Sequence, residues 1–240
     1  ADFIVSARVS APHLCRGEAR LGGRVLAAIR ATRDAVGCNT NLGIVLLCAP
    51  LVMAARRRED GAPIERTIAT VLDESTVEDT AAVFEAIRIA APAGLGRQNE
   101  HDVNGLATAT LREVMAAAAD RDRIACQYAQ DFADVLGLGR TLLNEAGKHL
   151  PDGPWRTVAL YLGLLARIPD SHVRRKFGDD TARDGMQQAS TLAREFNHHG
   201  AVPEIIERLW DFDAALKRGG INPGTTADLT VATLLAERLG

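Results

Sequence analysis

Apolar residues recur at intervals of three and four along most of the chain, the spacing that places side chains on one face of a helix. Val83, Ile87 and Ala90 form one such set, and Leu111 and Met115 begin another. Alternation of apolar and polar residues with period two, which is typical of strands, is rare. Aromatic residues, which strands favour, make up only 4% of the chain. The pattern predicts an all-α protein.

The helical spacing also gives approximate bounds for the elements. It predicts helices over residues 2–11, 18–35, 41–56, 63–72, 76–90, 107–136, 139–147, 154–167, 179–198, 203–218 and 225–239. Loops are predicted at residues 58–62, 91–106, 148–153 and 169–178. The chain has no internal repeat, low-complexity tail or long linker, so we expect a single multi-helix bundle domain over residues 1–240.

Several helix ends carry recognisable signals. Ser75 and Thr76 are both candidate N-caps, because an acidic residue follows each of them three positions later. Pro203 suits the first position of a helix, since its fixed backbone angle is already helical. The glycines at 219–220 are expected to end that helix.

Composition and charge exclude some classes of protein. Hydrophobic residues make up 47% and charged residues 25%, which is typical of a globular chain. The net charge of -3 removes the basic field that non-specific nucleic-acid binding requires, although a local basic pocket stays open. No run of 18 uncharged apolar residues is present, so we expect no membrane partner.

The cysteines give no sign of a disulfide framework or of a zinc site. None of Cys15, Cys38, Cys48 and Cys126 belongs to a C-x-x-C pair, and no Cys/His cluster has the spacing of zinc ligands. We therefore expect reduced thiols in a cytoplasmic protein. The chain shows no signal-peptide pattern after Ala1.

The first stretch that suggests chemistry is Gly37–Gly43 (Gly-Cys-Asn-Thr-Asn-Leu-Gly), which leads into an apolar helix. The first backbone N–H groups of a helix have no internal acceptor. Polar side chains can cap them, which is the commoner arrangement. The alternative is that this end binds phosphate or carboxylate.

The second stretch is Asn222–Leu229 (Asn-Pro-Gly-Thr-Thr-Ala-Asp-Leu), a turn before the last helix. Thr225 or Thr226 can cap that helix, and Asp228 lies in its first turn. Asp228 is also suited to hold a metal ion or a ribose hydroxyl, and the spacing does not choose between these roles.

The third stretch, Pro169–Lys176, places three cations beside an acid and an imidazole. Arginine offers paired donors to phosphate and lysine a compact charge. A solvated charged face is the alternative. Asp120–Arg123 lies in a predicted helix, where its charges would be solvated, ion-paired or lining a cleft. Gly94-Leu95-Gly96 and Gly137-Leu138-Gly139 lack the preceding strand and third glycine of a dinucleotide fingerprint.

Read together, these stretches resemble the triphosphoribosyl-dephospho-CoA synthase family (CitG/MdcB-like proteins). Gly37–Gly43 stands where that family has Gly-Val-Asn-Thr-His-Lys-Gly, and Ile168–His172 stands where it has Asn-Gly-Asp-Thr-Asn. Asn222–Leu229 is similar to its Ser-Pro-Gly-Gly-Ser-Ala-Asp-Leu segment. Arg121 and Tyr128 loosely match its Ala-Arg-Gly-Glu stretch.

The departures from the family pattern are specific. Asn41-Leu42 replaces His-Lys, and His172 replaces Asn. Asp2-Phe3 matches an early Asp-Phe, but the family's upstream Lys-Pro-Gly segment has no counterpart, so we expect that segment to be absent. The sequence looks most similar to a divergent branch from one-carbon-metabolising bacteria that use tetrahydromethanopterin.

The resemblance implies transfer of the triphosphoribosyl group of ATP to 3'-dephospho-CoA with release of adenine. It implies Mg²⁺ as the cofactor, with Asp170 and Asp228 as catalytic and metal-binding residues. For Arg174, Arg175 and Lys176 the expectation rests on charge alone. The expected nucleotide- and phosphate-binding residues are Asn39, Thr40, Asn41, Gly43, Arg121, His172, Arg174, Arg175, Lys176, Gly224, Thr225 and Thr226.

Two alternatives stay open beside this activity. One is a related nucleotide-dependent enzyme of methanopterin or methylofuran cofactor biosynthesis, and the other is a non-catalytic nucleotide-binding relative. An Ala-rich helical surface also permits a homodimer without requiring one. For the enzymatic reading, we expect the helix openings at Asn39 and Asp228 to bind the polyphosphate and sugar of one nucleotide.

Overall fold

The computed structural model describes residues 2–59, 62–92 and 101–240. Every regular element in these ranges is helical and none is a strand, which confirms the all-α prediction. The α-helices are α1 (Asp2–Leu14), α2 (Leu21–Val36), α3 (Leu42–Arg57), α4 (Ile64–Asp73), α5 (Val77–Ala90), α6 (Leu111–Ala116), α7 (Arg123–Ala129), α8 (Arg140–Gly147), α9 (Pro154–Leu165), α10 (Ser171–Phe177), α11 (Asp179–His199), α12 (Pro203–Arg218) and α13 (Gly224–Leu239). A π-helix, Ala133–Gly139, precedes α8. No helix in these ranges is both long and apolar enough to cross a bilayer.

The chain forms two compact units. The first comprises Ala1–Ala133 with Leu235–Gly240, and within it α2 packs against α1 and α5 while α3 packs against α4. The expectation of one domain over residues 1–240 stays a prediction. The largest fully buried side chains of this unit are Leu47, Leu51, Ile64, Ile68, Leu72, Leu111, Tyr128 and Phe132.

The second unit, Asp134–Leu234, is built around α9 and α11. α8 also packs against α9, and α10 and α12 pack against α11. The rings of Trp155 and Phe196 meet at a centroid distance of 6.0 Å and join α9 to α11. The buried apolar cluster of this unit comprises Ala146, Leu150, Ala159, Leu162, Leu165, Ala189, Leu192, Ala193, Phe196, Ile205 and Phe212.

The predicted helix ends are largely confirmed. Of the two candidate caps, Thr76 is the N-cap of α5: its hydroxyl accepts from the N–H of Asp79 at 3.4 Å, and its own N–H donates to the Asp79 carboxylate at 3.0 Å. This reciprocal pair is a capping box. α12 begins at Pro203 and ends just before the glycines at 219–220, as predicted.

The single helix predicted over residues 107–136 is wrong. Asp122 accepts hydrogen bonds from two backbone N–H groups of the following turn, at 2.9 and 3.1 Å, and so begins a new helix, α7. Asp131 and Phe132 then take positive φ angles of 49° and 63°, which end the helical path again. Apolar spacing alone predicts that the helix continues, but the capping side chain of Asp122 starts a new helix there. The Asp120–Arg123 segment therefore lies at the junction between α6 and α7.

The predicted loop over residues 169–178 is also wrong, because it contains the short helix α10. Asp170 supplies the N-cap that the apolar pattern did not reveal. Residues 148–153 do form a loop, as predicted. Parts of the predicted loops 58–62 and 91–106 lie outside the described residues, as does Gly94-Leu95-Gly96, and the described parts are not helical.

The first turn of α2 lies against the backbone of α5 at Gly22. The N–H of Gly22 donates to Asp79 Oδ1 at 2.8 Å, and a Cβ atom on Gly22 would lie 2.4 Å from the Asp79 carbonyl oxygen. Gly22→Ala therefore forces α2 away from α5, and we expect the free energy of unfolding to fall by about 2 kcal/mol. Urea unfolding monitored by circular dichroism measures this.

Gly23 provides a matched control, because a Cβ atom there would meet no described atom within 4 Å beyond its neighbours in the same helix. Gly23→Ala is expected to raise the free energy of unfolding by about 0.5–1 kcal/mol, since alanine restricts the unfolded chain and favours the helix. Equal effects of the two substitutions would contradict the close approach of Gly22 to Asp79.

Candidate active site

Asp170 joins the opening turns of two helices in the second unit. Its side chain is 2% exposed, and its Oδ1 accepts from the N–H groups of His172 (2.9 Å) and Val173 (3.0 Å) at the start of α10. Its Oδ2 accepts from both the N–H and the hydroxyl of Thr226 at 2.8 Å, at the start of α13. One carboxylate thus fixes the relative position of two predicted motif segments.

Thr225 makes a second connection between the same two turns. Its hydroxyl oxygen accepts from the N–H of His172 at 3.2 Å and lies 3.0 Å from the hydroxyl of Ser171. The prediction that Thr225 or Thr226 caps α13 is wrong, because the helix begins earlier, at Gly224. Both threonines lie in its first turn and bond to α10 and its cap instead.

Two more of the predicted site residues, Gly224 and Asp228, lie near the same turns of α10 and α13. A Cβ atom on Gly224 would lie 3.7 Å from the His172 ring, so glycine allows close packing there. Asp228, which is half-buried, follows Gly224 by four positions and Thr225 by three, so it shares their face of α13. We call this set the Asp170 cluster, and its members are Asp170, His172, Gly224, Thr225, Thr226 and Asp228.

The cations of α10 divide between different environments. Arg175 is half-buried and follows His172 by three positions, so it lies on the same helical face. Arg174 pairs with Asp179 at 3.2 Å, and the Lys176 ammonium lies 5.0 Å from the centroid of the Phe177 ring. Arg175 thus shares a face of α10 with a member of the Asp170 cluster.

The pKa of Tyr161, a half-buried residue of α9, responds to burial and to nearby acids. Burial raises the pKa of Tyr161, and the negative charges of Asp170 and Asp213 raise it further. The raised pKa keeps this phenol protonated further into the alkaline range than that of an exposed tyrosine.

Residues Asn39–Gly43 form a second candidate region, at the start of α3 in the first unit. Asn39 Oδ1 accepts from the N–H of Leu42 at 3.2 Å, whereas the N-cap residue, Asn41, makes no side-chain capping bond. The N–H of Gly43, which is half-buried, has no acceptor within the helix. This opening keeps a donor of the kind that binds anions.

Arg121 stands apart from these residues in its contacts. It is exposed at the junction between α6 and α7, and its guanidinium donates to the carbonyl of Ala117 at 2.9 Å. Its predicted phosphate-binding role stays a prediction, as does the shared use of the Asn39 and Asp228 helix openings by one nucleotide.

The sequence did not single out two serines that contact the Asn39–Gly43 loop. Ser6 Oγ lies 2.5 Å from the hydroxyl of Thr40, and Ser10 Oγ accepts from the Asn41 amide at 3.3 Å. Two serines four residues apart in a largely apolar stretch are the signal that identifies this polar face.

A cleft of about 230 Å³ opens elsewhere in the first unit, and it was not predicted either. Its two arginines are neutralised locally, Arg20 by Asp79 at 3.3 Å and Arg57 by Glu74 at 2.5 Å. Among its lining residues, Asp79 is held by the α2–α5 contact described above. The residues that line it are Arg20, Leu21, Met53, Arg57, Val71, Glu74, Ser75 and Asp79.

The side chains that could coordinate a metal ion limit how such an ion can be bound. Within residues 2–59, 62–92 and 101–240, no three side chains of His, Cys, Asp or Glu form a cluster suited to a metal ion. Both oxygens of Asp170 already accept two hydrogen bonds each. Mg²⁺ commonly needs only one or two carboxylates when substrate phosphates supply the other oxygens, and the predicted metal-binding role of Asp228 stays a prediction.

The chain is similar to one family of known proteins and to a solved structure. The model of the CitG family, described as ATP:dephospho-CoA triphosphoribosyl transferase, matches residues 1–240. The fold is similar to the crystal structure of a proposed triphosphoribosyl-dephospho-CoA synthase from Archaeoglobus fulgidus, with a TM-score of 0.75 and 23% identity over 98% of this chain and 97% of that one. No curated protein shows significant sequence similarity. The chain therefore belongs to the CitG family of ATP:dephospho-CoA triphosphoribosyl transferases and is a pentosyltransferase.

Proposed function

We propose that this chain transfers the triphosphoribosyl group of ATP to a ribose hydroxyl of 3'-dephospho-CoA and that the Asp170 cluster carries the reaction. The observation that supports this most is the double tie made by Asp170, which holds the first turn of α13 against α10. Because Asp228 follows in that same helix, the tie fixes where its carboxylate lies.

The chemistry defines what the site must supply. The bond between the adenine nitrogen and the anomeric carbon breaks, and the acceptor hydroxyl oxygen forms a new bond to that carbon. The hydroxyl loses its proton and the departing adenine gains one. Positive charge develops on the sugar in the transition state, so a fixed carboxylate beside it lowers the barrier.

We assign that carboxylate to Asp228 and a positioning role to Asp170. Asp228 is half-buried, so a substrate can reach it. Asp170 is buried and saturated with hydrogen bonds from protein groups. This division differs from equal catalytic roles for the two acids, and it follows from their different exposure.

Phosphate binding is assigned separately in each unit. In the first unit, the N–H of Gly43 offers a donor at a helix opening, and Asn39, Thr40 and Asn41 lie beside it. In the second unit, Arg175 offers a guanidinium on the face that it shares with His172. Each group suits the negative charge of a triphosphate.

Mg²⁺ fits this proposal as a companion of the triphosphate, with Asp228 as its protein carboxylate. When bound, it would neutralise phosphate charge. Asp170 contributes by holding the α13 turn that carries Asp228. The need for Mg²⁺ is therefore expected to follow the need for ATP.

The identity of the acceptor molecule is the most specific part of the proposal. Asn41-Leu42 and His172 depart from the pattern of the family that the sequence resembles, and these departures favour, as the second candidate, a related acceptor from the biosynthesis of a one-carbon cofactor. We also propose a cytoplasmic location, where ATP is abundant, and this agrees with the four free cysteines. A homodimer stays a prediction.

Adenine release in the presence of ATP and Mg²⁺ tests the acceptor. We expect 3'-dephospho-CoA to raise the rate at least about tenfold above the rate without acceptor, because a correctly bound hydroxyl replaces water. CoA, which carries a phosphate on the acceptor ribose, is the matched control and is expected to give no such increase. Equal rates with and without 3'-dephospho-CoA would reject this acceptor and favour the second candidate.

A further inference from the structure

The cleft of about 230 Å³ in the first unit contains no residue that the proposed reaction uses, yet its lining suits a ligand. Three of the side chains that line it are apolar: Leu21, Met53 and Val71. Two arginines, Arg20 and Arg57, line it with them. The cleft therefore combines an apolar surface with guanidinium donors.

Both arginines of the cleft keep donors that their ion pairs do not use. Arg20 reaches Asp79 and Thr76 through Nη2, at 3.3 and 3.1 Å, and Arg57 reaches Glu74 through Nη1. A guanidinium carries five N–H groups, so most of these donors stay available. The side chains of Arg20 and Arg57 are 57% and 47% exposed, which leaves their remaining N–H groups accessible to a ligand.

A buried hydroxyl of the same cleft has a proton without an acceptor. Ser75 is 5% exposed, and its Oγ accepts from the N–H of Arg112 at 3.1 Å. Its own O–H group donates to no acceptor among the residues that the structure describes. Because Ser75 lines the cleft, an acceptor atom of a ligand can take this hydrogen bond and satisfy the buried donor.

A buried cation near the cleft has no carboxylate partner. Arg24 is 3% exposed and donates only to backbone carbonyls within the described ranges of the chain. These carbonyls belong to Leu14, Gly17 and Ala19. A buried positive charge without a counter-ion is unfavourable, so this region favours the approach of an anion.

Arg56 adds a second cation at the same place. A Cβ atom on Gly17 would lie 3.7 Å from Arg56 Nη2, so Arg56 and Arg24 both lie at the Gly17 backbone. Arg56 forms no ion pair in the part of the chain that the structure describes. Burial lowers the pKa of Arg24, and the positive charges of Arg56 and Arg57 lower it further. Since Arg57 lines the cleft, two unbalanced positive charges lie close to it.

We propose that this cleft is a binding site for a phosphate monoester of a small apolar group, separate from the residues assigned to triphosphoribosyl transfer. A phosphate monoester carries a charge of about −1.5 to −2 at neutral pH, which matches two unbalanced cations better than a single carboxylate does. Arg20 and Arg57 donate to the phosphate oxygens, and Ser75 donates to one of them.

The volume of the cleft limits the size of this ligand. Pockets for drug-sized ligands span about 300–1,000 Å³, and this cleft is smaller. The apolar part of the ligand is therefore short, and it packs against Leu21, Met53 and Val71.

Protection of arginines from phenylglyoxal, measured on the whole chain by peptide mass spectrometry, tests the site. Inorganic phosphate is the probe. At ten times its half-protecting concentration, it is expected to slow modification of Arg20 and Arg57 about tenfold by mass action. Arg30 is the matched control, because it also pairs with an acid, Glu85, and is 55% exposed, but does not line the cleft. Its rate of modification is expected to stay unchanged.

Ser75→Ala tests the hydroxyl donor. The substitution removes one hydrogen bond to a charged ligand, so it is expected to raise the half-protecting phosphate concentration at least about tenfold. Circular dichroism checks that the variant keeps its helix content.

Three results would overturn the proposal. One is the absence of protection at Arg20 and Arg57, and another is equal protection of Arg30. The third is protection by acetate at the same concentrations as by phosphate, which would reject a dianion as the ligand. Adenine release is not measured in this experiment, so its outcome is independent of the proposed function.

Discussion

Asp170→Ala is expected to lower the free energy of unfolding by about 3–5 kcal/mol, the largest effect on stability that we anticipate. The substitution removes four hydrogen bonds to a charged acceptor in a buried position. It also leaves donors at the starts of α10 and α13 without their partner. Urea unfolding measures the loss, and turnover is expected to fall as the α13 turn loosens.

Asp122→Ala is the appropriate comparison for Asp170→Ala. Asp122 makes the same pair of N-cap hydrogen bonds at the start of α7. A cap of this kind is typically worth about 1 kcal/mol. If the two substitutions destabilise the protein equally, the connection from Asp170 to Thr226 contributes nothing, and the proposed positioning role is wrong.

Asp228→Ala is expected to reduce kcat for adenine release at least about 100-fold, the largest effect on activity. The proposed cause is the loss of negative charge beside the sugar as positive charge develops there. Because Asp228 is half-buried near the start of α13, the melting temperature is expected to change little.

Asp228→Asn separates charge from shape at the same position. It keeps the size of the side chain but removes the charge, so it is expected to lose activity to nearly the same extent. Glu237→Ala, at an exposed acid of the same helix, is the matched control and should keep full turnover. Retained activity in Asp228→Asn would remove the carboxylate from the reaction.

Local signals predicted most of the fold because they act within one or two helical turns. The capping box at Thr76 and the proline–glycine pattern around α12 are examples in which the sequence and the structure agree. The failures were local as well. Asp122 and Asp170 each start a helix through a side-chain hydrogen bond, and apolar spacing carries no information about that bond.

The candidate site was only partly accessible from sequence. The motif segments around Asp170 and Asp228 were identified, but the tie from Asp170 to Thr226 joins residues 56 positions apart and depends on tertiary packing. The different exposure of the two acids, with Asp170 buried and Asp228 half-buried, depends on packing as well, and residue type does not reveal it. Ser6 and Ser10 were missed for the same reason, since their contacts appear only when α1 lies against the α3 loop.

The fate of label in doubly labelled ATP tests pentosyl transfer most directly. ATP carrying one label in the adenine ring and another in the γ-phosphate is incubated with the protein, Mg²⁺ and 3'-dephospho-CoA. Ring label is expected in free adenine, and γ-phosphate label in a product that contains the dephospho-CoA moiety, because only the bond to the anomeric carbon breaks. Ring label recovered in ADP or AMP would show that a phosphoanhydride bond breaks instead of the bond to adenine, and it would contradict the assignment.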